Sequence, residues 1–280
     1  MLKKIINADD FGISPGVNRA VITAYQQGAL NSTSMMMNVA YTDEAVALYK
    51  QNPGLSVGVH LNLTNQQNQR PVAAPKDIPL LVDKDGNLKH GFVSLMILSF
   101  FKKKELQRQS EIEMRAQIDK ALAAGITPSH LDSHRHVHMI PAVFQVAKKL
   151  QAAYRIPRLR VLNENVFYTL AGAKNLKCLF DGGLVKYGLL KTFYYWNRTK
   201  SDTYFYSVIY TTRLFGKNVK RIKVPKKYTA VEFGTHPSVT AVDARKFEPH
   251  FYNYLLDRKD RQNEFDAIMD KTLPDRIVQE

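Results

Sequence analysis

Residues 3 to 28 read KKIINADDFGISPGVNRAVITAYQQG, and their reading decides the fold. Lys3 to Ala8 reads as a strand, followed by two adjacent carboxylates, Asp9 and Asp10, and by Gly12 for a turn. Ser14-Pro15 is an N-cap with proline at the first helical position, and the apolar spacing beyond it predicts a helix ending at Gly28. The pattern then repeats. Thr33 to Val39 is a second predicted strand, and Thr42-Asp43-Glu44 opens a helix that must stop before Pro53. Ser56 to Leu63 is a third strand, with Val57, Val59, Leu61 and Leu63 on one face and His60 and Asn62 on the other. Glu105 to Ala124 is a long helix closed by Gly125, Pro128 leads into the strand Ser129 to Ser133, and Pro141 opens a helix through about Tyr154. Strands alternating with helices at this spacing predict an α/β fold with a parallel sheet, open or closed into a barrel. Farther on, Thr229 to Gly234 is another strand, and 243 to 257 and 260 to 270 read as terminal helices. The intervening 160 to 228 stretch is rich in Tyr and Lys and reads as an insertion of helices and loops. With no repeat or linker in view, residues 1 to 280 are expected to form one domain.

Composition bounds the function. A chain of 280 residues with 45% hydrophobic and 23% charged side chains is neither a disordered tail, a collagen-like fibre nor a small disulfide-stapled module. The single cysteine, Cys178, suits a reducing compartment, and the short apolar run at the N-terminus ends in acid rather than in an export signal, so a cytoplasmic location is expected. The longest apolar stretch, Phe92 to Phe101, is about half the length needed to span a bilayer and reads as a buried helix or lid segment, the alternative being a membrane-surface helix. The net charge of +15 favours acidic partners, but the basic residues are strewn along the chain with no zinc-finger spacing, RNP-type motif or P-loop. No nucleic-acid partner is expected, because it would leave the paired Asp residues unexplained.

Four of the eight histidines fall within His130-Leu131-Asp132-Ser133-His134-Arg135-His136-Val137-His138, a crowding that packing does not explain. Wherever the backbone is extended, positions 130, 132, 134, 136 and 138 share one face. Asp9 and Asp10, side by side, repel unless a cation or a shared proton compensates them. His60 lies within an apolar strand and His236 just past one, in Glu232-Phe233-Gly234-Thr235-His236-Pro237. Each group sits at or beyond the C-terminal end of a predicted parallel strand, the edge where α/β folds build active sites. One carboxylate and two histidines make a divalent-metal site suited to activating water, with a remaining Asp and His as base and acid.

The motifs NADDFG, VGVHLNLT around His60 and HLDSHRHVH at 130 to 138, with GTHPS at 234 to 238, together closely resemble the YdjC-like carbohydrate deacetylase family. That resemblance implies a distorted (β/α) barrel related to the NodB-type polysaccharide deacetylases. It implies removal of the N-acetyl group from an amino sugar or short oligosaccharide such as diacetylchitobiose, releasing acetate. Asp10, His60 and His134 would hold the metal, Asp9 would be the general base and His236 the general acid. Family members are usually magnesium-dependent and often homodimers, although two imidazole ligands suit zinc, cobalt or manganese better than magnesium. Asp132 and His138 are expected to orient a ligand's other ring nitrogen, and Arg135 or His136 to face the substrate. Met35 to Met37 are expected in a core strand, and Tyr194, Tyr195 and Trp196 in packing, the alternative being sugar stacking. Rival enzymes using similar donors are a metal-dependent phosphoesterase, which predicts a second metal, and a non-haem iron oxygenase.

Overall fold

The computed structural model describes residues 2–65, 69–172, 183–243 and 258–280. The helix expected at 243 to 257, apart from residue 243, and Cys178 lie outside them. The first strand, β1 (Lys3–Phe11), is followed by α1 (Pro15–Gln26), β2 (Ser32–Met35), α2 (Thr42–Lys50) and β3 (Ser56–Leu61). Next come α3 (Phe92–Phe101), α4 (Lys103–Ala123), β4 (His130–Ser133), α5 (Pro141–Ala153) and β5 (Arg158–Leu159). The chain continues through α6 (Val166–Ala171), α7 (Leu184–Trp196), β6 (Thr203–Tyr206), β7 (Ile222–Val224), β8 (Ala230–Thr235), α8 (Thr240–Asp243), α9 (Arg258–Met269) and β9 (Ile277–Gln279). Seven strands run in the order β5-β4-β3-β2-β1-β8-β6, and the β1–β8, β6–β8, β3–β4 and β4–β5 pairs are parallel. The α/β reading holds. The parallel pair β7–β9 forms a separate small sheet.

Contacts group the chain into two compact units, one of residues 1–9, 14–33 and 161–280, the other of residues 10–13 and 34–160. In the first, α1 begins as its sequence predicts. Val17 N donates to Ser14 Oγ at 3.2 Å, and Pro15 occupies the first turn. Asp243 completes this end: its carboxylate accepts from Gly16 N at 2.7 Å and from Ser14 Oγ at 2.9 Å, a buried anion at the positive end of a helix. A Cβ on residue 16 would fall 2.3 Å from that carboxylate, so a side chain there would displace Asp243 from the helix end. Gly28, at φ +72°, lets the chain turn beyond α1 without the steric cost of a side chain.

The 160 to 228 stretch departs from the expected insertion. Its segment Thr203–Tyr206 is β6, paired with β8 in register from Thr203 opposite Ala230 to Tyr206 opposite Phe233. Tyr204, Phe205 and Tyr206 are buried there, so aromatic strand formers were hidden in a composition that looked like surface. The aromatic run at the end of α7 departs the other way: Tyr195 is 67% and Trp196 58% exposed, rather than packed.

In the second unit β2 stops at Met35, short of the predicted Val39: beyond it the Thr42 hydroxyl takes up the carbonyls of Met36 and Val39 at 2.9 Å each. Met35, Met36 and Met37 are nonetheless fully buried core residues. β3 is buried on both faces, as a central parallel strand should be, so His60 lies inside the protein. α4 buries Leu106, Met114, Ile118 and Ala121 along one side. Gly125, at φ +83°, closes it as predicted.

Candidate metal centre and active site

The second unit gathers Asp10, His60 and His134. Asp10 ends the extended part of β1 in a left-handed conformation, φ 68°, and is buried. Its Oδ1 lies 3.3 Å from His60 Nε2 and 2.7 Å from His134 Nδ1. The two rings meet edge to face, 5.7 Å between centroids. One donor atom from each residue lies within 4.8 Å of the others, a spacing that fits one ion with bonds of about 2.0–2.2 Å.

A second layer of charge fixes His60. Its Nδ1 is 2.8 Å from Asp132 Oδ1, directly across the β3–β4 pairing, while its Nε2 is turned to Asp10. Asp132 Oδ2 accepts from Ser34 Oγ and pairs with Arg160 Nη1, both at 2.7 Å. Burial alone would raise the Asp132 carboxyl, but the Arg160 guanidinium and the His60 and His130 rings outweigh it and hold it well below the usual carboxylate range. An ionised Asp132 keeps the proton on His60 Nδ1 and leaves the Nε2 lone pair for an ion, the carboxylate–histidine–metal arrangement. Burial, opposed by Asp10, lowers His134, so its ring is neutral and fit to be a ligand. These features make the donor set suitable for a divalent ion.

The expected shared face of the four clustered histidines ends where β4 ends. Residues 134–139 form a tight turn, with Arg135 at φ 53° and His136 at φ 57°, and this breaks the two-residue alternation. His130 Nε2 meets Ser34 Oγ at 3.0 Å and its Nδ1 meets Ser129 Oγ at 2.9 Å. A Cβ on Gly58 would come within 2.5 Å of that ring, so the glycine in Val57-Gly58-Val59 is what admits His130. His138 uses both ring nitrogens elsewhere, on Ser133 Oγ at 2.6 Å and Arg160 O at 3.1 Å, and burial pushes it down to about 4. His138 therefore braces the turn rather than a ligand ring. His136 is buried and Arg135 exposed.

In the first unit Asp9, peptide-bonded to Asp10, is buried and accepts from Asn7 Nδ2 at 2.8 Å. Ser32 Oγ in turn donates to Asn7 Oδ1 at 2.6 Å, which fixes the amide that faces Asp9. His236 Nε2 lies 3.7 Å from Asp9 Oδ2, and its Nδ1 lies 3.8 Å from Glu264 Oε2. Glu264, on α9, holds the strand end by accepting from His236 N at 2.6 Å and Leu214 N at 2.8 Å. Burial pushes its carboxyl up to about 8, against the pull of those two N–H groups. Burial also pushes the Lys186 ammonium down to about 8, against the Glu164 and Asp9 carboxylates.

Sequence reading missed Ser34, Arg160, Lys186 and Glu264. Arg160 carried a signal: an arginine between Leu159 and Val161-Leu162 is a charge in an apolar run, and burial there requires a partner. Glu264, in a charged helix, carried none.

The YdjC-like protein family model matches residues 3–279. A carbohydrate deacetylase of Brevibacillus brevis is 38% identical over 156 residues, 56% of this chain and 58% of the relative. That of Clostridium beijerinckii is 39% identical over 158 residues, 56% of this chain and 59% of the relative. The chain thus aligns with less than two thirds of either. A carbohydrate deacetylase of Thermoanaerobacter pseudethanolicus is 32% identical over 190 residues, 66% of this chain and 73% of the relative. A crystal structure from Enterococcus faecalis V583, of a protein named for cellobiose-phosphate cleavage, superposes with a TM-score of 0.63 at 24% identity, covering 100% of this chain and 97% of that one, a likeness of fold. With the family match spanning residues 3–279, so that its bounds take in the 160 to 228 stretch and His236 as well as the first half, this chain belongs to the YdjC-like protein family.

Proposed function

We propose that this protein is a carbohydrate deacetylase that hydrolyses the N-acetyl group of an amino sugar or short oligosaccharide, diacetylchitobiose being the size we would try first. The observation that carries the reading is the Asp10–His60–His134 triad, with His60 held by an ionised Asp132. The names of the deacetylase relatives support the reaction class. A divalent ion in that triad supplies Lewis acidity toward water and the amide carbonyl.

The chain's own residues supply the rest. Asp9, steadied by Asn7, accepts a proton from the attacking water. His236, whose strand end is held by Glu264, donates a proton to the departing amine, and acetate and a free amino sugar result. His60 and His134 offer imidazole nitrogen donors, which favours zinc or manganese over magnesium.

The test is an acetate-release screen over N-acetylated mono- and disaccharides, with magnesium, manganese, cobalt or zinc returned to metal-stripped protein. Ion-dependent acetate release is the expected result, and His134→Ala should lose the stoichiometric ion. Phosphate release from sugar phosphates, with no acetate from any acetylated sugar, would overturn the reading in favour of a phosphoesterase.

A further inference from the structure

We propose that α3 and the three lysines after it form a docking face for an anionic lipid surface. The sequence Phe92–Phe101 was expected to be buried, yet only Leu95 and Ser99 are. Val93, Ile97 and Phe101, spaced four residues apart, are 60%, 48% and 84% exposed, and Phe100 beside them 53%. These positions form one stripe along the outward side of the helix. An apolar stripe ending in two phenylalanines is the kind of exposed patch that marks an interaction surface.

Charge identifies the occupant. Residues 86 to 104 contain four lysines, Lys89 and Lys102 to Lys104, and no acidic side chain, and all four lysines are exposed. The stripe is therefore cationic at its C-terminal end, where Lys102 to Lys104 follow the helix directly and the next acid, Glu105, is paired with Arg108. An anionic bilayer accepts both features at once, the rings entering the headgroup boundary and the ammonium groups meeting the headgroups. Ten helical residues extend about 15 Å, so the helix lies along the interface rather than crossing it. Among the described residues no helix is long and apolar enough to span a membrane. On its other side α3 packs against α4, α5 and the 134–139 turn, so the docking face is braced against the segment that carries His134.

Flotation of the full chain with vesicles of phosphatidylcholine, alone or with 30% phosphatidylglycerol, tests this. Binding should be at least tenfold stronger to the anionic vesicles and should weaken in high salt. Exposed substitutions Ile97→Glu/Phe101→Glu should reduce it tenfold or more without altering the fold. Lys102→Gln/Lys103→Gln/Lys104→Gln should reduce it by roughly fivefold per lysine, on the order of 100-fold together. Failure of the wild-type protein to float with the anionic vesicles overturns the proposal, as does flotation of the Ile97→Glu/Phe101→Glu variant at the wild-type level. A wild-type dimer that this variant converts to monomer, with no lipid binding, reassigns the face to a second copy and also overturns it. Acetate release from a soluble sugar should be unchanged in either variant, which separates failure here from failure of the deacetylase reading.

Discussion

Replacing Arg160 by methionine is the most informative perturbation of the candidate metal centre. Arg160 and Asp132 are buried side chains joined at 2.7 Å, and Asp132 turns its other oxygen to His60 at 2.8 Å. Removing the guanidinium strands a buried carboxylate, which costs about 3–5 kcal/mol of stability. Asp132 then loses the main influence that keeps it ionised, and His60 loses a charged partner, a change that lowers metal affinity by about 10–100-fold. The double variant Arg160→Met/Asp132→Asn removes both charges. Its stability should therefore recover above the sum of the two single losses, while metal affinity stays low. Urea unfolding gives the first quantity and competition with a metal-sensitive dye the second. Additive stability losses would show that the two charges are not energetically coupled. Wild-type metal affinity in Arg160→Met would show that Asp132 does not govern His60.

Other outcomes follow from single contacts. Asp9→Asn should retain the ion and lose at least about 100-fold in turnover, since the base is gone while the triad is intact; full activity would remove Asp9 from the mechanism. Glu264→Gln sets an NH2 group, which cannot accept, against one of the two N–H groups, so kcat should fall roughly 10–100-fold with metal affinity unchanged, read by steady-state kinetics beside a metal titration. His138 is lowered to about 4 by burial, so the native state binds fewer protons than the unfolded chain. Stability from this group is present above the unfolded value near 6.5 and is lost as pH falls toward 4, by about 3 kcal/mol. In His138→Asn that part of the acid sensitivity should vanish from unfolding measured between pH 7 and 4. Gly58→Ala drives a methyl group into the His130 ring and should cost about 1–3 kcal/mol in chemical denaturation.

The elements legible in sequence were those where local chemistry and tertiary role agree. Ser14-Pro15 caps a helix in any setting, and a glycine after the long 105 to 124 pattern closes one, so α1 and α4 were found close to their ends. Asp10, His60 and His134 stood out as polar, ligand-type residues at the ends of apolar strands, but their selection as one donor set from among the clustered acids and histidines came from the family resemblance. What was hidden depends on distance along the chain. Glu264 is 28 residues from the His236 amide it holds, and nothing local distinguishes it from the acids around it. The shared parity of 130, 134, 136 and 138 misled beyond Ser133 because two non-glycine residues adopt a left-handed turn that sequence gave no reason to place there. The exposed stripe on α3 was hidden for the opposite reason: apolarity reads as burial until a surface is in view.

The Asp9–Asp10 step in β1 has a genetic consequence. One strand delivers both acids, Asp9 to Asn7 and His236, Asp10 to His60 and His134, so their assignments are set by counting residues from Lys3. Deleting any one codon between Ile5 and Ala8 while the β1–β8 ladder keeps its register would put Asp10 at the ninth position of the chain and Phe11 at the tenth. Such a frame-preserving lesion alters no acid or histidine, yet it takes the carboxylate out of the donor set as surely as substituting Asp10 would.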